Sequence, residues 1–326
     1  MERYTHLLEK YFNNPNITSY KVMSEGKENT SVLLEGDFGS VILRIWGETH
    51  GYMGQRRLSD IEAELSFMSL CADNSIPVPK LYPSLTGGRY ETTPEGAYYA
   101  VMDFARGESP HDSTPDMITQ VATIMATMHK LVIDEKFTFE SKRSWPGTVV
   151  DMTNDRIAKF EASADDPAEA FVAEVITTYV AKLSRHDLSR LPQGVIHGDI
   201  MWENMKFLDG KLSGIFDFDD CRESFFVEDI TKTLFFEFES AEHSLFGADG
   251  QNVGVFLAAY QKVRELSPAE LNAIPLLFIT RFLYQVLGYY AKLDKGQQDY
   301  RAKIDGLVAR YKHHQSFFDA EDWAGK

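Results

Sequence analysis

Residues 197–220 read HGDIMWENMKFLDGKLSGIFDFDD, and no other stretch restricts the chain so strongly. Two short apolar runs, 205–208 and 211–216, flank Asp209-Gly210. An Asp-Gly pair between two extended runs signals a two-residue hairpin, since both turn residues must take positive φ. Such a hairpin brings its outer ends together, with Asn204 on one side and Asp217 on the other. Asp199 stands five residues before Asn204, preceded by His197 and Gly198. The expected local fold therefore converges two carboxylates and one carboxamide.

That set suits a hard divalent cation beside a proton acceptor. Mg²⁺ takes oxygen ligands, keeps several waters and is usually held by one or two side chains plus substrate phosphates. Asn204 and Asp217 fit as metal ligands, which leaves Asp199 to accept a proton from an attacking hydroxyl. This is the division of labour of phosphoryl transfer, where the protein mainly positions and neutralises. The spacing His-x-Asp-x₄-Asn, then a hairpin, then Asp, matches a kinase catalytic loop and its metal-binding Asp.

The rest of the chain supports two lobes. At 326 residues it exceeds the size at which single cores stop growing, roughly 250–300 residues. Residues 2–12 read as a short helix. ITSYKVMS (17–24), SVLLEG (31–36) and SVILRIW (40–46) are β-branched and aromatic, with turn signals between them. These are meander strands of an antiparallel sheet. Residues 59–74 have apolar Ile61, Leu65, Met68 and Cys71 at helical spacing, and Ser59 with Glu62 reads as a capping box. IPVPKLYP (76–83) is an extended connector and AYYAVMDF (97–104) a further strand. Beyond about residue 105 the pattern turns helical, with proline-marked starts at Thr114-Pro115, Asp166-Pro167 and Ser267-Pro268-Ala269-Glu270. VEDITKTLFF (227–236) starts another helix soon after the hairpin.

HGDxxxxN followed by a strand ending in Phe-Asp-Phe-Asp (216–219) resembles the aminoglycoside phosphotransferase/choline kinase family, small-molecule relatives of protein kinases. Protein kinases usually carry Arg where this chain has Gly198, and DFG where it has Asp217-Phe218-Asp219. No APE-like segment follows, and the early helix leaves no room for an activation loop. The resemblance implies an α+β, bilobal, protein-kinase-like fold: an antiparallel-sheet nucleotide-binding lobe over 1–104 and a mainly helical catalytic and substrate lobe over 105–326. It implies ATP and Mg²⁺ as cofactors, Asp199 as the catalytic base, and Asn204 and Asp217 as metal ligands. Arg44 in VILRIW takes the place of the usual strand lysine, paired with Glu64 rather than Glu62 on the next helix. The backbone of Asp103 and Ala105 would bond adenine at the hinge. The phosphate-covering loop is SEGKENTS (24–31), with Ser24, Asn29 or Thr30 as its polar contacts. No G-x-x-x-x-G-K-[ST] occurs, which excludes a P-loop NTPase.

Other residues divide between structure and function. His197 is expected to bond backbone near the metal-binding Asp, and Asp229 to cap a helix or tether a loop. Asp219 and Asp220 read as solvated acids or helix-lobe hydrogen-bond partners, with contact to a second metal or the substrate also open. Cys71 and Cys221 lack metal-ligand spacing and read as free buried thiols of a reducing cytosol.

Net charge is −16, which disfavours nucleic-acid phosphates as partners. No run of about 18 uncharged apolar residues reads as a membrane span. The most apolar stretch, PLLFITRFLYQVLGYY (275–290), carries Arg281 and reads as a core helix, and the charged start is unlike a signal peptide. The expectation is a cytoplasmic kinase of a small-molecule hydroxyl. Asp219, Asp220, Glu223, Glu228, Glu237 and Glu239 could line a pocket for an amine, and Trp202, Phe225 and Phe226 could stack on a sugar or cation. These lean the acceptor towards an aminoglycoside or amino sugar, with choline, homoserine and methylthioribose also open. The competing readings are an atypical Ser/Thr protein kinase and a non-catalytic ATP-binding module.

Overall fold

The computed structural model describes residues 2–25, 29–47, 49–50, 54–55, 57–110, 114–139, 149–154, 156, 160, 166–239 and 251–315. The chain divides into two compact units, residues 1–110 with 202–221 and residues 111–201 with 222–326.

The first unit starts with helix α1 (Glu2–Leu8) and strands β1 (Ile17–Glu25), β2 (Asn29–Gly36) and β3 (Gly39–Trp46). The short β4 (Thr49–His50) and β5 (Gly54–Gln55) pair with each other. Helix α2 (Leu58–Asp73), β6 (Glu91–Thr92) and β7 (Tyr98–Asp103) follow. The main sheet has the order β1-β2-β3-β7-β6, antiparallel throughout. Side chains alternate across it with period two. Val32, Leu34, Val41, Leu43 and Ile45 point to one face and are buried there with Leu7, Leu8 and Tyr11. Ile42 and Arg44 consequently point to the other face.

The expected N-cap, Ser59, lies inside α2, one residue past its start, and the cap that forms is one-sided. The helix starts at Leu58, and the Asp60 carboxylate accepts a hydrogen bond from the Arg57 backbone N–H at 3.1 Å. Glu62, freed from capping, accepts from the Tyr90 hydroxyl at 3.0 Å.

Strand β8 (Gln193–Ile196) belongs to the second unit, whereas β9 (Met205–Leu208) and β10 (Lys211–Ile215) form the expected hairpin in the first. Asp209 and Gly210 close it with φ of 51° and 73°. Three backbone bonds fasten the hairpin to its unit: Glu108 N to Phe207 O at 3.0 Å, Phe207 N to Glu108 O at 2.9 Å and Ile215 N to Pro77 O at 2.7 Å.

The second unit is mostly helical. It holds α3 (Pro115–Asp134), α4 (Pro167–Leu183), β11 (Arg222–Phe225) paired with β8, α5 (Phe226–Glu239), α6 (Gln251–Gln261), α7 (Pro268–Asp294) and α8 (Tyr300–His313). The three proline-marked starts hold as read. Thr114 accepts from Met117 N at 3.2 Å, Asp166 from Ala168 N at 2.9 Å and Ser267 from Glu270 N at 3.3 Å. Helix α7 is long and apolar enough to cross a membrane, but it is mostly buried within the protein, as expected of a core helix. Its Arg281 lies over the rings of Phe235 and Tyr284, which shields the charge. Both cysteines are free and buried.

Candidate active site

Within the first unit, the polar cluster starts from Arg44. Its position in β3 aims it away from the core, beside Ile42 on the same face. Arg44 Nη2 donates to Asp217 Oδ1 at 2.8 Å and to Asp219 Oδ1 at 2.6 Å. Arg44 Nε lies 3.8 Å from Glu64 Oε1. Glu64 is buried on α2 and also accepts from Trp46 Nε1 at 3.2 Å, so its orientation is fixed from two sides. Burial opposes the charge on Arg44, but Asp219, Asp217 and Glu64 outweigh it and hold its pKa above the ordinary guanidinium value. Of the two helix acids, Glu64 is the one that faces Arg44.

Asp217 follows the last strand of the hairpin with φ 68° and ψ 64°, a left-handed conformation that Asp tolerates better than most residues. Phe218 beside it is buried and meets Phe67 of α2 edge-on, with ring centroids 5.6 Å apart. That contact anchors the turn bearing the carboxylates. Asn204 is buried, and its backbone carbonyl accepts from Phe216 N at 3.0 Å, which brings Asn204 beside the chain leading into Asp217. The pair offers a carboxamide and a carboxylate, hard oxygen donors of the kind Mg²⁺ takes. Among the described residues, no group of three or more His, Cys, Asp or Glu could hold a metal ion, so a softer zinc-type centre has no ligand set there.

A cavity of about 320 Å³ opens beside this cluster. Ile42, Met68, Met102 and Phe216 line it with apolar surface, while Arg44, Glu64 and Asp217 supply charge. Asp103 and Ala105 also line it. The Asp103 N–H donates to Lys80 O at 2.9 Å. A Cβ added at Gly214 would stand 2.6 Å from the Ala105 Cβ, so glycine at that position lets β10 approach the segment that follows β7. Asn29 at the start of β2 donates through Nδ2 to Asp219 Oδ2. Thr30 and Ser31 of the expected phosphate loop continue β2, whereas residues 26–28 and the Ser24 and Glu25 side chains lie outside the described residues.

Asp199 lies in the second unit, on the loop after β8. Helix α5 holds this loop residue by residue. The Asp229 carboxylate accepts from His197 N at 3.1 Å and from Gly198 N at 2.8 Å. Lys232 Nζ lies 2.8 Å from Asp199 Oδ1. Thr233 Oγ1 donates to Ile200 O at 2.7 Å. Positions 229, 232 and 233 are three and four apart, so one helix face makes all these contacts. Asp229 is thus the loop tether expected of it, and the His197 ring bonds backbone within its own loop, where Nδ1 accepts from Asp199 N at 3.2 Å. His129 of α3 backs Asp229 at 3.1 Å and bonds the Tyr260 hydroxyl at 2.6 Å. Burial lowers the His129 pKa, although Asp229 opposes the shift. Asp229 stays ionised despite its burial because His129, His197 and the Gly198 N–H favour its charge.

Several residues considered for the acceptor pocket have other duties. Trp202 and Phe226 are buried core aromatics, the first against Phe207 and the second against His129. Glu228 is buried and paired with Arg222, and Glu223 accepts from Phe139 N at 3.3 Å. Asp219 is bonded to Arg44 and Asn29. The side chains of Glu237 and Glu239 lie outside the described residues. Sequence reading passed over Lys232 and His129. The available signal for Lys232 was a lone cation inside an apolar helical run, three residues after Asp229.

Residues 19–266 match the model of the phosphotransferase enzyme family, the APH family. The chain belongs to that family. A curated relative, homoserine kinase from Bradyrhizobium sp. (strain ORS 278), is 28% identical over 312 residues, which covers 94% of this chain and 91% of the relative. Among solved structures, a microcompartment-associated aminopropanol kinase superposes with a TM-score of 0.72 at 17% identity, covering 97% of each chain. An amicoumacin kinase superposes with a TM-score of 0.68 at 19% identity, covering 94% of this chain and 91% of that one. The fold is accordingly α+β and protein-kinase-like, with an antiparallel-sheet region before a mainly helical one. As a member of the phosphotransferase family, the chain is a small-molecule kinase that transfers a phosphoryl group to a hydroxyl.

Proposed function

We propose that this phosphotransferase uses Mg²⁺-ATP and phosphorylates the hydroxyl of a small amino alcohol of the homoserine type. The observation that carries the nucleotide half is the cavity, apolar at Ile42, Met102 and Phe216 for a purine and charged at Arg44 and Asp217 for phosphates. The acceptor half rests on the curated relatives, which carry the name homoserine kinase and match over most of their own length. They move the reading from an aminoglycoside or amino sugar towards a smaller acceptor.

Residues 1–104 then act as the nucleotide lobe and 105–326 as the catalytic and substrate lobe of a cytoplasmic enzyme. Asp103 and Ala105 present backbone groups to adenine, and Asn29 serves the phosphate side. Arg44, steadied by Glu64, neutralises phosphate oxygens. Asn204 and Asp217 would hold Mg²⁺, which when bound offsets phosphate charge. Asp199 takes the proton of the acceptor hydroxyl as its oxygen bonds to the γ-phosphorus. The bond from that phosphorus to the bridging oxygen breaks, and the electron pair leaves with ADP.

The test is ADP release from Mg²⁺-ATP with homoserine, 1-amino-2-propanol, choline, aminoglycosides, methylthioribose and a generic protein substrate, each repeated with Asp199→Ala and Asp217→Ala. Turnover with an amino alcohol, lost in both variants and in excess EDTA, supports the reading. Transfer to protein alone, or undiminished turnover in either variant, overturns it.

A further inference from the structure

We infer that Lys232 is a positioning residue for Asp199, one that helps orient its carboxylate towards the acceptor hydroxyl; the inference rests on the role proposed for Asp199. A lysine at 5% exposure is costly to bury unless its charge is compensated. Its ammonium stands 2.8 Å from Asp199 Oδ1, while the Asp199 side chain keeps 22% of its surface. The lysine thus holds the carboxylate from the protein side through Oδ1, while part of the carboxylate faces solvent.

The neighbours on α5 make this more than a stray ion pair. Asp229 and Thr233 fix the backbone at 197, 198 and 200, and Lys232 fixes the side chain of the residue between them. The backbone contacts place the loop, and the lysine contact acts on the Asp199 side chain itself. An anchored carboxylate loses no rotamer freedom when the hydroxyl arrives, and small misplacements of such a group are costly.

The experiment compares wild type, Lys232→Met, Lys232→Arg, Asp199→Asn and the double variant Lys232→Met/Asp199→Asn, using homoserine or whichever acceptor the panel identifies. Melting temperature and binding of a non-hydrolysable ATP analogue serve as checks on folding. The expected result is that Lys232→Met lowers kcat by about 10- to 100-fold with the ATP KM within about twofold. Lys232→Arg should restore part of the loss. The double variant should be no slower than Asp199→Asn alone, because the lysine acts through the carboxylate. Unchanged kcat in Lys232→Met, or additive losses in the double variant, would overturn the assignment and leave the function standing. Should Lys232→Met fail to fold, Lys232→Gln takes its place.

A second readout needs no turnover. The ¹⁵N-ammonium NMR signal of Lys232 should be protected from solvent exchange in wild type and lose that protection in Asp199→Ala. A fast-exchanging signal in wild type sinks the inference even if no acceptor is found. Loss of activity in Lys232→Met with full activity in Asp199→Asn would refute both readings.

Discussion

Arg44 Nη2 lies 2.8 Å from Asp217 Oδ1, although the two residues are 173 positions apart in the chain. The same nitrogen bonds Asp219, so one guanidinium gathers the turn that follows the hairpin. Arg44→Met leaves Glu64 buried beside uncompensated acids. We expect kcat/KM for ATP to fall by about a hundredfold or more, the scale seen when a fixed charge donor is removed. Arg44→Lys should recover only part, since one ammonium cannot face Glu64, as Nε does, while also bonding Asp217 and Asp219. Steady-state kinetics with ATP varied, alongside melting curves, check both.

Acid should destabilise the second unit through His129. Burial holds the pKa of this side chain below its usual 6.5, so the folded chain refuses a proton that the unfolded chain accepts. The contribution is complete above about pH 6.5 and declines as pH falls, by at most about 1.4 kcal/mol per pH unit for one proton. Melting temperature should drop between pH 8 and pH 5.5, and His129→Asn should flatten that drop. An equal pH dependence in the variant would assign the effect to other groups.

Asp166 titrates lower, at about 2, held there mainly by Arg301 and opposed by burial. Its carboxylate also caps α4 through Ala168 N and Glu169 N. A depressed carboxylate pKa stabilises above the unfolded value near 3.8 and is lost as pH falls towards 2. At neutral pH, Asp166→Ala should cost about 1–2 kcal/mol, mostly from the lost cap because Arg301 is half exposed. Urea denaturation measures it, with little change in turnover expected.

Gly214→Ala tests the approach of β10 to Ala105. Its new methyl would stand 2.6 Å from the Ala105 Cβ, and overpacking of this kind costs about 1–3 kcal/mol. Because Ala105 lines the cavity, the ATP KM should rise as well. Calorimetric binding of ADP separates that effect from a loss of folded protein.

Features written in local sequence were legible. Asp209-Gly210 prescribes its turn, and Pro115, Pro167 and Pro268 mark helix starts because each lacks an N–H that the first turn leaves unpaired. The α2 cap was misread because Ser59 is the better N-cap by residue type, yet the helix starts at Leu58 with Asp60 bonding back to the Arg57 N–H. What depends on distant partners was not legible. Asn29 meets Asp219 across 190 residues, and nothing near either specifies the other. Lys232 and His129 occupy helical positions that any core residue could fill, and only burial beside Asp199 and Asp229 gives them a purpose. Trp202 and Phe226 look the same in sequence whether they serve a ligand or a core.

Helix α5 grips four consecutive residues of the loop before it, which has a bearing on how relatives can exchange parts. A chimaera importing 197–200 alone would inherit a loop cut to another helix's side chains. Asp229, Lys232 and Thr233 should therefore drift through evolution as a set rather than singly. For recombination or directed libraries, the heritable module is the loop together with its helix, and new acceptor specificity is more safely sought in side chains outside that grip.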